Sequence, residues 1–146
     1  MRIRVAGVED LPDMLVVEKG CFGSERFDLR MLENILSDKE DESFIVEDGS
    51  GTVGSAMIHH KTSLGRSRII SLAILPELRG KGYGRATLEF LEDRARAKRS
   101  TIMELEVRVI NVAAIDLYLT SGYEVLGTIS NYFGKGEDAF YMEKAL

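Results

Sequence analysis

Short stretches of alternating or continuous apolar residues, bounded by turn-forming residues, predict seven β-strands. In the first, Ile3 and Val5 alternate with Arg2 and Arg4. The sequence DGSG at 48–51 separates two of the others, which predicts a hairpin. The predicted strands cover residues 3–5, 43–47, 52–62, 66–75, 101–109, 123–127 and 139–143.

Apolar residues recur at intervals of three and four in four other stretches, which predicts helices. The first helix begins after Asp10, with Pro12 in its first turn, and the second is capped by Asp28. The last is capped by Asn111 and ends just before Gly122. The third and fourth helices cover residues 82–99 and 111–121.

The order of these elements, βααβββαβαββ, predicts an α/β fold in which helices cover the faces of a sheet. The strand–helix–strand unit at 66–109 predicts one parallel crossover. The chain has 146 residues, of which 45% are hydrophobic, and contains no Gly/Ser/Pro linker. We therefore expect a single domain that spans residues 1–146.

Composition and charge exclude several classes of protein. The net charge of −5 argues against broad nucleic-acid binding. The longest apolar run, around 69–75, is interrupted by Ser71 and falls far short of the roughly 20 residues of a membrane span. The first residues lack the pattern of a signal peptide. Cys21 is the only cysteine, so it forms no internal disulfide. His59 and His60 are neighbours on a predicted strand and face opposite sides, so they do not chelate one ion. We expect a cytoplasmic protein with no bound metal and no membrane segment.

The clearest chemical signal is the turn ILPELRGKGYGRA at 74–86, where a predicted buried strand ends and an amphipathic helix begins. Glycines let a ligand approach the backbone, and free N–H groups at a helix start attract phosphate. Arg79, Lys81 and Arg85 add three positive charges. Arg85 takes the place of the third glycine of a dinucleotide fingerprint, and the turn has no P-loop sequence. Composition alone leaves both a pyrophosphate site and a flexible surface loop open.

Residues 79–81 with Gly82 and Gly84 resemble the acetyl-CoA pyrophosphate loop of the GNAT superfamily, the Gcn5-related N-acetyltransferases. The preceding ISLAILPELRGKGYG resembles the strand, bulge and loop of that superfamily. The resemblance implies one mixed, mostly antiparallel twisted sheet with helices on both faces and splayed central parallel strands. It also implies acetyl-CoA as co-substrate, held by Leu72, Ala73, Ile74, Arg79, Gly80, Lys81, Gly82, Tyr83, Gly84, Arg85, Asn111 and Tyr118.

The segment LEVRVINVAAIDLYLTSGYEVLGTISNYF, followed by GEDAFYMEKAL, is similar to the RimI-type and archaeal N-terminal protein acetyltransferases. This resemblance implies transfer of an acetyl group from acetyl-CoA to the α-amino group of protein or peptide N-termini. Ribosomal proteins and a broad set of nascent chains are both open as targets. We expect a monomer or weak dimer.

Glu106 and Tyr118 are the catalytic residues that the resemblance implies, as general base and general acid. An α-ammonium, with a pKa of about 7.7–8.0, must lose a proton before it attacks. A phenol, with a pKa of about 10, keeps its proton at neutral pH and can donate it. The residues alone favour a different interpretation, in which Glu106 is a carboxylate on a solvated sheet face beside Glu104 and Arg108, and Tyr118 is a packing residue.

The resemblance places the incoming peptide between the loop after the first helix and a late aromatic loop. The residues this implies for substrate binding are Glu25, Phe27 and Tyr132, with Phe22 and Phe133 nearby. GSERF stands where RimI-type sequences often carry a proline–tryptophan element, and Glu25 followed by Phe27 looks more like the archaeal enzymes. Surface aromatics packed on one another remain an alternative.

Other functions remain open at this point. A GNAT enzyme could instead acetylate lysine side chains or small-molecule amines. A non-catalytic CoA-binding sensor would keep the glycine turn without needing Glu106 and Tyr118 together. A plain interaction domain would not bind CoA.

Overall fold

The computed structural model describes residues 1–23 and 25–146, which form a seven-stranded sheet with four α-helices. The helices are α1 Leu11–Cys21, α2 Leu29–Ser37, α3 Tyr83–Ala97 and α4 Val112–Thr120. The strands are β1 Arg2–Val5, β2 Asp41–Asp48, β3 Gly51–Lys61, β4 Arg66–Ile74, β5 Ile102–Arg108, β6 Glu124–Ile129 and β7 Ala139–Ala145. The predicted order of elements is confirmed.

The sheet has the strand order β1-β2-β3-β4-β5-β7-β6. All neighbours are antiparallel except β4 and β5, the parallel pair that α3 connects. These two strands pair only where Arg66–Arg68 lies opposite Ile102–Glu104. Beyond that register they diverge, while β5 continues its pairing with β7 as far as Arg108. The sheet is therefore continuous at one end and open at the other, which is the predicted splay.

Helix starts are fixed by local hydrogen bonds. The Asp28 side chain caps α2 by accepting from the Met31 N–H at 2.9 Å, and Asn111 caps α4 by accepting from the Ala114 N–H at 3.2 Å. Asp10 directly precedes α1, as the sequence predicts, but its side chain does not cap the helix. Its carboxylate instead accepts two hydrogen bonds from Arg4, at 2.8 and 2.9 Å. A bidentate guanidinium bond from β1 outcompetes a local cap.

Apolar side chains are buried on both faces of the sheet. Phe44 packs with Leu88 of α3 on one face, whereas its neighbour Ile45 packs with Met14 of α1 and Leu32 of α2 on the other. Consecutive strand residues point to opposite faces, so one strand can anchor helices on both sides. Among residues 1–23 and 25–146, no helix combines the length and apolar character needed to cross a bilayer.

A chain of buried and half-buried polar side chains, which we call the His60 network, ties β2, β3, β4 and α3 together. His60 bonds the Ser67 hydroxyl and the Glu42 carboxylate, each at 2.8 Å, and Arg94 of α3 donates to the same carboxylate. Ser67 also bonds Ser100 at 2.7 Å. His59 bonds Asp41 instead. The two histidines therefore have separate polar partners, in line with the predicted opposite orientation.

Candidate active site

Two cavities meet where β4 and β5 diverge. The larger has a volume of about 350 Å³ and the smaller about 310 Å³. The residues that line both are Cys21, Phe22, Leu72, Arg79, Asn111 and Ala114. These shared walls make the cavities two arms of one cleft, which we call the β4–β5 cleft.

The smaller cavity lies between the end of β4, the start of α3 and α4. It brings together most of the residues predicted to hold acetyl-CoA, namely Leu72, Ala73, Ile74, Arg79, Gly80, Gly82, Tyr83, Gly84, Arg85 and Asn111. Lys81 is not among its lining residues, and Tyr118 lines the larger cavity instead.

The backbone of β4 presents free groups to the cleft. Leu75 donates its N–H to the Val53 oxygen at 2.9 Å, and Gly54 lies opposite Ile74. Because antiparallel pairs alternate, the N–H and C=O of Leu72 and Ile74 point away from β3, toward the gap. The Ile74 carbonyl accepts from Arg79 Nε at 2.9 Å. The backbone of the intervening Ala73 faces β3, so this predicted residue offers the cleft only its side chain.

The start of α3 is arranged to attract an anion. Gly80 and Gly82 adopt left-handed backbone conformations, with φ of 82° and 84°. No side chain caps the helix at Gly82, so the N–H groups of its first turn lack intrahelical partners. Arg85 adds a positive charge and is held against α4 by bonds to Thr120 and Ser121, at 2.8 and 3.0 Å. Phosphate oxygens suit such a helix start.

Glu106 lies on β5 within the larger cavity, with only 9% of its side chain exposed. Its Oε1 accepts from Arg68 Nε at 2.7 Å and from the Tyr132 hydroxyl at 2.9 Å. Glu104 is buried as well and pairs with Lys61 and Arg66. The interpretation of this β5 face as solvated is therefore wrong: cationic and phenolic side chains cover it.

Tyr118 projects from α4 into the same cavity and is 7% exposed. Burial raises the pKa of Tyr118 to about 12, because ionisation would place a charge in an apolar setting. Its ring packs edge-on against Tyr123, with centroids 5.6 Å apart. The phenol is therefore a protonated donor over the whole physiological pH range.

The loop after α1 and the late aromatic loop form the far wall of the larger cavity. Glu25, Phe27 and Phe133 line it, whereas Tyr132 reaches it only through its bond to Glu106. Arg108 joins the two loops, because it pairs with Glu25 at 3.6 Å and with Glu137. Its guanidinium also lies over the Phe133 ring, 5.9 Å from the centroid.

Sequence reasoning missed the polar residues that surround the predicted pair, namely Arg68, Ser71, Arg108 and Glu18. Glu18 is 1% exposed and lines the larger cavity. The pKa of Glu18 is raised to about 7, chiefly by burial and to a smaller extent by the nearby Glu25, while the Phe27 backbone N–H acts in the opposite direction. The sequence does contain an indication of this burial. Glu18 follows Met14 by four residues, which places a charged side chain on the apolar face of α1.

Over residues 9–123 the chain matches the model of the Acetyltransferase (GNAT) family. The N-alpha-acetyltransferase of Sulfurisphaera tokodaii is 26% identical over 156 residues, covering 99% of this chain and 93% of that protein. The catalytic subunit naa20 of the N-terminal acetyltransferase B complex of Schizosaccharomyces pombe is 33% identical over 84 residues, 55% of this chain and 47% of that protein. The chain thus matches about half the length of this and another curated relative.

Two further similarities bear on the acceptor. An IAA acetyltransferase of Azospirillum brasilense is 35% identical over 109 residues, covering 74% of this chain and 71% of that protein. The crystal structure of the ribosomal-protein-S18-alanine N-acetyltransferase from Escherichia coli superposes with a TM-score of 0.85 at 25% identity. That superposition covers 99% of this chain and 92% of the other.

Proposed function

The chain belongs to the GNAT acetyltransferase family, and from this premise we propose that it transfers the acetyl group of acetyl-CoA to the α-amino group of protein or peptide N-termini. The observation that carries the proposal is the β4–β5 cleft. Its smaller arm offers backbone and helix-start N–H groups, and its larger arm is lined by Glu106 and Tyr118.

Acetyl-CoA fits the smaller arm by its chemistry. Its pyrophosphate would lie on the N–H groups between Gly80 and Arg85, at the uncapped start of α3. Its pantetheine arm carries amides that match the N–H of Ile74 and the C=O of Leu72 in the gap, whereas the Ile74 carbonyl already accepts from Arg79. The thioester would then lie where the two arms join, beside Asn111 and Arg79.

The chemistry is direct transfer. The acceptor ammonium gives a proton to Glu106, directly or through a water, and the free amine attacks the thioester carbonyl. The N–H of Leu72, a residue that lines both arms, would donate to the oxygen that gains negative charge, an interaction often worth about 3–4 kcal/mol per donor. When the C–S bond breaks, Tyr118 gives its proton to the leaving thiolate. The second proton that the nitrogen loses as the amide forms returns to Tyr118, and Glu106 releases the first proton to solvent.

Support for an N-terminal acceptor comes from the relatives and from the shape of the larger arm. The archaeal relative that matches nearly the whole chain is an N-alpha-acetyltransferase. The larger arm is bounded by two loops that carry Glu25, Phe27 and Phe133. We propose that these loops, with Tyr132, contact the first residues of a peptide. Ribosomal proteins or nascent chains would supply such N-termini.

A second acceptor class is favoured by a different relative. The IAA acetyltransferase of A. brasilense is 35% identical, against 26% for the S. tokodaii enzyme, and its name does not refer to a protein N-terminus. Lysine side chains and small-molecule amines are therefore the competing acceptors.

The test is acetyl transfer from acetyl-CoA to two matched peptide panels. One panel has free N-termini beginning Ala, Ser, Met-Glu or Met-Leu, and the other has blocked N-termini and free lysines. We expect transfer only to the first. Transfer to the lysine panel, or to neither panel while CoA binds, would contradict the N-terminal assignment, and the ranking within the first panel measures its breadth.

Substitution of the catalytic pair should lower turnover without weakening CoA binding. Glu106→Gln and Tyr118→Phe should each reduce kcat by roughly 10²-fold or more, the usual contribution of a positioned acid or base. Glu104→Gln and Tyr141→Phe are matched controls, because both residues lie beside this site but line neither cavity. Full activity in the Glu106 and Tyr118 variants would refute their roles.

A further inference from the structure

We propose that Glu18, together with Ser71, forms a cation subsite that holds the ammonium group of the acceptor before Glu106 takes its proton. The inference rests on the proposed function only in requiring an amine acceptor in the larger arm of the cleft. It assigns binding of the cation and removal of the proton to two different carboxylates.

Glu18 is placed to face a ligand. It lies on the last turn of α1, is 1% exposed and lines the larger cavity. Within residues 1–23 and 25–146, neither of its carboxylate oxygens has a hydrogen-bond partner. The Phe27 N–H lies near the carboxylate, but its geometry falls short of a hydrogen bond. A buried carboxylate without partners is costly, which makes a cationic ligand its natural complement.

The surrounding groups leave an excess of acceptors. Over the described part of the chain, the Ser71 hydroxyl and the Oε2 of Glu25 also lack partners, and both residues line the same cavity. Of the two arginines that line it, Arg108 pairs with Glu25 and Glu137, and Arg79 donates its Nε–H to the Ile74 carbonyl and forms no ion pair with Glu18 in the described residues. An ammonium group brings three N–H donors and one positive charge, which match this excess.

Glu106 does not duplicate this role. Its Oε1 already accepts from Arg68 and Tyr132, so a guanidinium balances its charge. Glu18 has no cationic partner in the described structure. A cation that enters the larger arm therefore gains more from Glu18, whereas the remaining oxygen of Glu106 is available to accept a proton.

The test measures binding rather than turnover. A peptide beginning with Ala is compared with its analogue in which hydroxyl replaces the α-amino group, by calorimetry on the enzyme saturated with CoA at pH 7.5. We expect the wild-type enzyme to bind the amine about 10-fold more tightly, the scale of a hydrogen bond to a charged group. Glu18→Gln should bring the ratio of the two dissociation constants, hydroxyl peptide over amine peptide, close to one. It should leave the affinity for the hydroxyl peptide within about threefold of the wild-type value.

Control variants distinguish cation binding by Glu18 from a structural role of Glu18 in supporting the loop after α1. Glu92→Gln removes another buried carboxylate of the chain, one that bonds Tyr123 and Lys144 and lines neither cavity, and it should keep the wild-type ratio. Glu106→Gln should also keep the ratio while losing turnover. Ser71→Ala should reduce the ratio by about two- to threefold.

Two results would overturn the proposal. If Glu18→Gln weakened both peptides equally, Glu18 would support the loop after α1 rather than bind a cation. If the wild-type enzyme did not distinguish amine from hydroxyl, no cation subsite would exist. Neither readout needs acetyl transfer, so failure of the N-terminal assignment is a separate result. Should neither peptide bind, the affinities of 1-aminobutane and 1-butanol are compared in the same way. The same ratios of amine to hydroxyl affinity in the wild type and in Glu18→Gln then support or overturn the proposal.

Discussion

The burial of Glu18 makes the stability of the fold depend on pH. The pKa of Glu18 is about 7 in the folded chain, above the ordinary 4.5 that it has when unfolded. Between these values the unfolded state ionises first, so the free energy of unfolding decreases as pH rises, and the full cost is present above pH 7. A residue that destabilises its own fold is typical of a functional site.

Glu18→Gln should therefore stabilise the protein only at high pH. We expect its Tm to exceed that of the wild type by roughly 2–6 °C at pH 8, and to equal it at pH 4, where both side chains are neutral. Thermal unfolding at the two pH values, with Glu92→Gln for comparison, measures this. An equal Tm difference at both pH values would show that ionisation of Glu18 is not the cause.

Individual residues of the site differ in how far they could be predicted from the sequence. Glu106 and Tyr118 were identified by resemblance, because their spacing belongs to a motif, although their burial could not be predicted. Arg68 and Arg108 could not be assigned, since their partners Glu106, Glu25 and Glu137 come from distant segments. Glu18 could have been found, because a charged residue on the apolar face of a helix needs an explanation.

Among the elements, the turn before α3 has the most specific backbone requirement. Gly82 adopts φ of 84°, and a Cβ added there would meet no other atom within 4 Å. The cost of a side chain is therefore strain alone, about 1–2 kcal/mol for a left-handed residue. Relief of that strain would turn the first N–H groups of α3 away from the position of a phosphate.

Gly82→Ala should raise KM for acetyl-CoA about tenfold and leave kcat within about threefold, since in the proposed function the turn binds the co-substrate and not the acceptor. Steady-state kinetics with acetyl-CoA varied would measure it. Gly127→Ala on β6 is the matched control, because that position also has open space but no left-handed backbone. An unchanged KM would argue against a pyrophosphate at this turn.

Element boundaries and order followed from hydrophobic period and turn residues, as with the hairpin at 48–51 and the caps Asp28 and Asn111. The local argument failed at Asp10, where Arg4 from β1 supplies a stronger partner than the helix. The divergence of β4 from β5 is likewise a tertiary property. It was predicted through the family resemblance and not from the residues of either strand.

For the whole molecule, the joined cavities favour a kinetic scheme in which both substrates are bound at once. Six residues line both arms, so under the proposed function acetyl-CoA and the acceptor would be held together and the acetyl group would pass directly between them. Cys21 lies at this junction, but burial raises the pKa of its thiol, which disfavours a nucleophilic thiolate.

Initial-rate lines measured at several acceptor concentrations should therefore intersect, as expected when both substrates bind before reaction. Cys21→Ser should retain the intersecting pattern and most of the activity. Parallel lines, or abolished transfer in this variant, would instead indicate an acetylated Cys21 intermediate.

The divergence of β4 and β5 has a consequence for which molecules can enter at all. Leu72 and Ile74 form an interior edge: a strand with unpaired backbone groups that is enclosed by the domain instead of lying at its rim. Exposed edges recruit other chains, whereas this edge lies inside the β4–β5 cleft. The proposed pantetheine arm is thinner than a protein strand with its side chains, so an edge within the cleft favours that arm over pairing with a second chain.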